Sequence, residues 1–483
     1  MKHENIQRFS LIDTLVEARR DAYIRLSDRI WDLSDTRWKE FHSVEAQIEL
    51  LEREGFRVTR NLAGLPTAFV AQAGDEGAVA GFLGEYDALP NMSQHAAAME
   101  ASAVRMGGSG HGSGHHLLGV GAMLAAVAAR EYLVSQGLPG IVRYYGCPAG
   151  EGGAGKTYMA RDGVFNGLDF SLTWHPGPFS GIFRYRSLAV IQAYFRFSGI
   201  ASHAAASPHL GRSALDAVEL MNVGVNFLRE HMPAEARVHY AITDAGGTAA
   251  NVVQAAAEVS YVVLAPDIGQ AHDLFERVRR TGAGAALMTE TTVEVEMDRA
   301  CSEFLRNETI DALMMNNLER LGPPPFDSSD RAFAAQMTEN ISASDLSACI
   351  DAYRGPADAR GLADTPLPLA GEPGSLTVSS DVGDVSWIVP TTQYLGACYA
   401  VGTNMQTWQL VSQGKLPAAH KGMLHAAKVL AATAVDLLTE PSLIRAAQAE
   451  HARRTGGCAY VCPIPDSVIA PPLRQPPSRR NAA

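Results

Sequence analysis

The sequence predicts an α/β fold with a mostly parallel sheet, interrupted by an inserted ferredoxin-like βαββαβ domain. Three observations lead there. Short apolar runs that end in polar motifs alternate with helix-patterned segments, as strands and crossover helices do around a parallel sheet. From about residue 186 to 298 the order becomes β-α-β-β-α-β, the split motif of ferredoxin-like folds. After it the α/β pattern resumes, so that unit is an insertion. A chain of 483 residues also exceeds one ordinary core. The expected division is residues 1–185 and 299–455 for a discontinuous domain, 186–298 for the insert and 456–483 for a tail.

Residues 10–55 read as helices, because Leu15, Ile24, Leu26, Ile30, Leu33, Ile48 and Leu51 recur near helical spacing. Ala78–Leu83 is a short apolar strand ending at Glu85-Tyr86-Asp87. His115–Leu133 follows as a helix apolar on nearly every face, which predicts burial. Ile141–Tyr145 and Phe170–Thr173 are further strands ending at polar motifs. In the insert, Leu188–Phe197 alternates as a half-buried strand. His203–Glu230 carries helical spacing through Ala214, Val218, Met221, Val225 and Leu228. Val238–Ile242, Val252–Leu264 and Thr291–Met297 read as strands, and Ile268–Gly282 as a helix. Gly322-Pro-Pro-Pro and the Pro/Gly-rich run 355–375 are loops, and the chain from Pro463 reads as a mobile terminus.

Composition narrows the class. Hydrophobic residues are 47% and charged residues 19%, which fits a globular enzyme rather than a disordered chain. A net charge of −12 argues against nucleic-acid binding, which needs a basic face. No run reaches the ~18 uninterrupted apolar residues of a membrane helix. The start, Met-Lys-His-Glu-Asn, leads into a charged amphipathic segment rather than a signal peptide. Cysteines 147, 301, 349, 398, 458 and 462 are scattered, as free thiols in a reducing cytoplasm would be.

The chemistry lies in short motifs at the strand ends, where α/β sheets carry their sites. They are Gly-Glu-Tyr-Asp-Ala-Leu-Pro (84–90), Gly-His-Gly-Ser-Gly-His-His (110–116), Pro-Ala-Gly-Glu-Gly-Gly (148–153), Trp-His-Pro (174–176) and a late Ala-His-Lys-Gly (419–422). Gly152-Gly-Ala-Gly-Lys156-Thr is too short between its first glycine and the lysine for a phosphate loop. Together the motifs resemble the M20 metallopeptidase family, most closely its aminobenzoyl-glutamate hydrolase branch. The resemblance spans most of the chain and implies a zinc-exopeptidase-like catalytic domain with an inserted lid that dimerises.

The same resemblance assigns roles. His115, Glu151, His175 and His420 match ligands for zinc or manganese, whose chemistry suits imidazole and carboxylate. Two positions depart from the family. Ser113 stands where it has a cysteine ligand, and Gly150 where it has the glutamate that moves the proton. Gln406 is a third departure, near a family histidine. One divalent ion at most is expected, or an empty pocket. Ser113 and Gly150 then line substrate space, and Glu85 or Asp87 is the nearest substitute base, unless Asp87 only orients a ligand histidine. His203 matches the residue that reaches across the dimer to the oxyanion. Asn251 and Arg212 are candidates for a substrate carboxylate or carbonyl, and Asp381 and Asp384 for loop support. The implied function is hydrolysis of an N-acyl or aryl-amide amino acid by a cytoplasmic homodimer, with a small-molecule substrate and no nucleic-acid or membrane partner. Two alternatives stay open: a non-hydrolytic biosynthetic enzyme catalysing condensation, cyclisation or elimination, and a binding pseudoenzyme.

Overall fold

The structure is a computed structural model that describes residues 2–371 and 377–473. The first part opens with helices α1 (Lys2–Glu17), α2 (Arg20–Leu33) and α3 (Phe41–Arg53). Then come strands β1 (Arg57–Arg60), β2 (Phe69–Ala73) and β3 (Val79–Gly84), helix α4 (His115–Gln136), β4 (Ile141–Gly146), α5 (Gly155–Arg161), β5 (Phe170–Gly177), β6 (Gly181–Ile182) and β7 (Arg186–Ser187). The insert runs β8 (Ala189–Ser198), α6 (Ala214–Leu228), β9 (Arg237–Asp244), β10 (Ala256–Ala265), α7 (Ile268–Thr289) and β11 (Thr292–Cys301). The chain returns through α8 (Glu308–Leu321), α9 (Ser328–Glu339), α10 (Ala343–Tyr353), β12 (Thr377–Val378), α11 (Val382–Ile388), β13 (Thr391–Ala397), α12 (Trp408–Gln413), α13 (Pro417–Thr439) and α14 (Pro441–Arg454).

The main sheet has the order β1-β2-β4-β3-β5-β13-β6. Its centre, β4-β3-β5-β13, is parallel, and the outer pairings are antiparallel. β13 therefore completes a sheet begun before the insert. The insert forms its own antiparallel sheet, β11-β8-β10-β9, the ferredoxin-like order. Its sheet reaches Cys301, three residues past the expected boundary.

Helices α4 and α13 lie at the centre of the core. Both are long and apolar enough to cross a membrane, yet 83% and 94% of their most apolar windows are buried inside the protein. Leu117, Met123, Val127, Met423, Leu430 and Val435 are fully buried there, so their apolar surface is satisfied by packing.

Three sequence expectations change. The helix expected from His203 begins only at Ala214, because Pro208 and Gly211 hold the preceding stretch in turns and the Ser213 side chain caps the start, accepting from the Asp216 amide. The strand expected at Phe170–Thr173 continues to Gly177 and carries His175 within it. The tail is docked as far as Leu473: Ile464 and Ala470 are buried, Arg161 donates to the Val468 carbonyl at 2.9 Å, and Tyr460 Oη donates to Asp384 Oδ1 at 2.9 Å. Residues 372–376 of the Pro/Gly-rich loop and 474–483 of the tail lie outside the described residues.

Candidate active site

Parallel strands β3, β4 and β5 end on one edge, and each end carries a motif. Glu85 and Asp87 follow β3, Gly150 and Glu151 follow β4, and His175 sits near the end of β5. His115 is the first residue of α4, whose first turn reaches the same edge. The result is a cavity of about 260 Å³. Its polar lining includes Glu85, Ser113, His115, Gly150, Glu151, His175 and Gln406, and its apolar lining Pro176, Phe183, Tyr353 and Leu395. Six of the sequence-predicted site residues thus converge.

Asp87 lies beneath them, fully buried. Its Oδ1 is 2.8 Å from His115 Nδ1, and its Oδ2 accepts the Glu151 amide at 2.8 Å. Both carboxylate oxygens are therefore engaged in orienting other groups, the arrangement expected of a positioning residue. Glu85 is bound differently. Its Oε1 is 2.9 Å from Lys156 Nζ and its Oε2 is 3.2 Å from His115 Nε2. Lys156 is fully buried and also reaches Asp381 Oδ1 at 2.8 Å. Asp384 accepts from Thr157 Oγ1 and Ser302 Oγ. The two aspartates after Ser380 therefore anchor α5 rather than face substrate.

Four assignments move. His420 does not line the cavity; it sits at the start of α13, with Nε2 2.9 Å from Asp28 of α2. Gln406 lies in the cavity instead, held by its amide bond to the Gly112 carbonyl. Arg212 is committed to Glu290 at 2.7 Å and to the carbonyls of His209 and Gly211, so it is not a free carboxylate receptor. His203 and Asn251 are exposed on the insert and do not line the cavity of their own chain. Sequence reasoning missed Phe183, Tyr353 and Gln393 as lining residues. It also missed the role of Lys156, whose only signal was its place two residues into a helix after the Glu151 motif.

Electrostatics sort the polar groups. Burial pushes Glu85 up, but Lys156, His115 and His175 outweigh it and hold the carboxyl at about 2. Burial lowers His175 to about 4, so its imidazole is neutral. Burial would also lower His115, yet Glu85, Glu151 and Asp87 raise it to about 10. Burial raises Glu151, and Ser113 beside it works in the opposite direction. Glu151 Oε1 and His175 Nδ1 are buried without a hydrogen-bond partner, a condition that proteins normally avoid. Donor atoms of Glu85, His115 and His175 lie within 4.8 Å of one another. A carboxylate, two imidazoles and orphaned donor atoms fit one divalent ion of the zinc or manganese type. Among the described residues, the serine, glycine and glutamine at positions 113, 150 and 406 leave no set of ligands for a second comparable ion.

No family model matches the chain. It is 47% identical over 482 residues to one of the two p-aminobenzoyl-glutamate hydrolase subunits of Escherichia coli (strain K12), covering 98% of this chain and all of that one. Two solved structures share the fold. An aminobenzoyl-glutamate utilization protein from Klebsiella pneumoniae has a TM-score of 0.57 at 16% identity, over 88% of this chain and 98% of that one. The YXEP protein of Bacillus subtilis, described as a dinuclear metal-binding peptidase of the M20 family, has a TM-score of 0.53 at 17% identity, over 87% and 99%. The non-hydrolytic reading draws no support from any of these. The strand-end motifs, the buried imidazole–carboxylate cluster and the full-length likeness agree: the chain belongs to the M20 amidohydrolase family, in its aminobenzoyl-glutamate hydrolase branch, and is an amide-bond hydrolase.

Proposed function

We propose that this chain cleaves the amide bond of an N-acyl or aryl-amide amino acid, with p-aminobenzoyl-glutamate, the compound in its relative's name, as the first substrate to test. The observation that carries this is the cavity itself. An imidazole–carboxylate cluster shares it with Phe183, Tyr353, Pro176 and Leu395, and Tyr353 packs against Phe179 and Tyr185 at ring separations of 5.6 and 5.4 Å. Such a lining suits a flat aryl group beside a polar reacting centre.

His115, His175 and a carboxylate from Glu85 or Glu151 would hold one divalent ion, zinc or manganese. When bound it would supply Lewis-acid polarisation of the amide carbonyl. Asp87 fixes the His115 ring and the Glu151 amide. Gly150 offers no proton acceptor. The carboxylate not used for the ion remains to take a proton from water and pass it to the leaving amine as the C–N bond breaks. Exposed Val223 and Phe227 on α6, Leu287 and Met288 on α7, and the edge strand β9 support a homodimer through the insert. In it, His203 of a second copy would serve the oxyanion and Asn251 the substrate. The free cysteines support a reducing, cytoplasmic setting.

The test is release of p-aminobenzoate from p-aminobenzoyl-glutamate by the metal-supplemented full chain, followed through its aromatic amine. No release of amine from this or any N-acyl amino acid would overturn the proposal. A monomer by light scattering at micromolar concentration would remove the dimer and His203 from it.

A further inference from the structure

Gly150 and Glu85 contend for one space. A Cβ built on Gly150 would lie 2.2 Å from Glu85 Oε2, 2.9 Å from Glu85 Cδ and 3.1 Å from His115 Cε1. Real Cβ atoms do not approach that closely, so a side chain at 150 and Glu85 in its present position exclude each other. Glu85 is also held there. Lys156, itself locked by Asp381, grips Oε1 and leaves Oε2 directed toward His115 Nε2. The Glu151 carboxylate falls outside the group of mutually close donors that Glu85, His115 and His175 form among the described residues.

We propose that Glu85 is the carboxylate ligand of the metal site, admitted beside His115 and His175 by the space that Gly150 leaves open. The ligand set is then one carboxylate and two imidazoles, with Asp87 behind His115 and Lys156 behind Glu85. Glu151 is left outside the coordination and free for proton transfer. This deepens the proposed function and rests on its metal reading.

The experiment titrates metal-free, full-length protein with Zn²⁺ by calorimetry and with Co²⁺ by visible absorption. It compares wild type, Glu85→Gln, Glu151→Gln and Gly150→Ala, each checked for native circular dichroism. The expected result is one ion per wild-type chain, weakened at least ~10-fold by Glu85→Gln and by Gly150→Ala, although glycine donates nothing. Glu151→Gln keeps wild-type affinity. Wild-type affinity in Glu85→Gln, or an equal loss in Glu151→Gln, overturns the inference while leaving the metal reading intact. Undiminished binding in Gly150→Ala does the same, and decides the matter if Glu85→Gln fails to fold. A wild-type chain that binds no ion overturns both.

Discussion

Replacing Lys156 with methionine tests the buried charge network under the site. Its Nζ is fully buried, 2.9 Å from Glu85 and 2.8 Å from Asp381. At an effective dielectric of ~20 each contact is worth about 6 kcal/mol in gross attraction. Desolvation of three charged groups offsets much of that sum. Removing one partner alone still strands the others, which is destabilising by ~3–5 kcal/mol. Lys156→Met is therefore expected to lower the unfolding free energy by that amount in urea titrations followed by circular dichroism. Adding Asp381→Asn, which removes one stranded carboxylate, should recover part of the loss, so that the double variant is more stable than Lys156→Met alone. A loss below ~1 kcal/mol in Lys156→Met, or a double variant no more stable than the single one, would refute the reasoning.

Three further outcomes are expected. Gly150→Glu restores a glutamate beside Glu151 but collides with Glu85. Alone it should reduce amide hydrolysis about ten-fold or more, and Glu85→Asp in the same chain should recover it by shortening the blocking side chain; turnover of both variants decides. Gln406→His adds an imidazole to the cavity and should raise Zn²⁺ affinity, whereas His420→Ala, paired only with Asp28, should leave metal binding unchanged; calorimetry separates them. Burial, aided by Asp87, raises Glu40 from 4.5 to about 8, so the folded state keeps a proton that the unfolded state has released. Its contribution to stability is complete below pH 4.5 and lost as pH rises through about 8, at up to ~1.36 kcal/mol per pH unit. Glu40→Gln can still accept from the Trp38 and Ala149 amides and meet Thr67, so it should flatten that slope in melts taken at several pH values.

The strand-end motifs were legible because period, apolar length and the polar word at each end coincide in one stretch of chain. That placed Glu85, Ser113, His115, Gly150, Glu151 and His175 correctly at one edge. His420 misled because Ala-His-Lys-Gly opens a helix, and sequence does not say which neighbour that first turn meets; here it is Asp28. The Gln406 position is fixed by a backbone bond to Gly112, nearly three hundred residues away in sequence. Lys156 looked like an ordinary lysine at a helix start, because its burial is created by Asp381 on a distant segment. The loop holding His203 read as helix since its alanines fit helical spacing, while Pro208, Gly211 and the Ser213 cap set the start later.

The position of β13 has a consequence for how the chain is made. It pairs with β5 along Thr391–Ala397, yet some two hundred residues separate them in sequence. While the chain leaves the ribosome, the insert is contiguous and can close its own sheet first. During that time β5, with His175 near its end, has an unsatisfied edge, the kind that invites pairing with another chain. The site is thus finished late in synthesis, and the earlier half must be kept from self-association until its last central strand arrives.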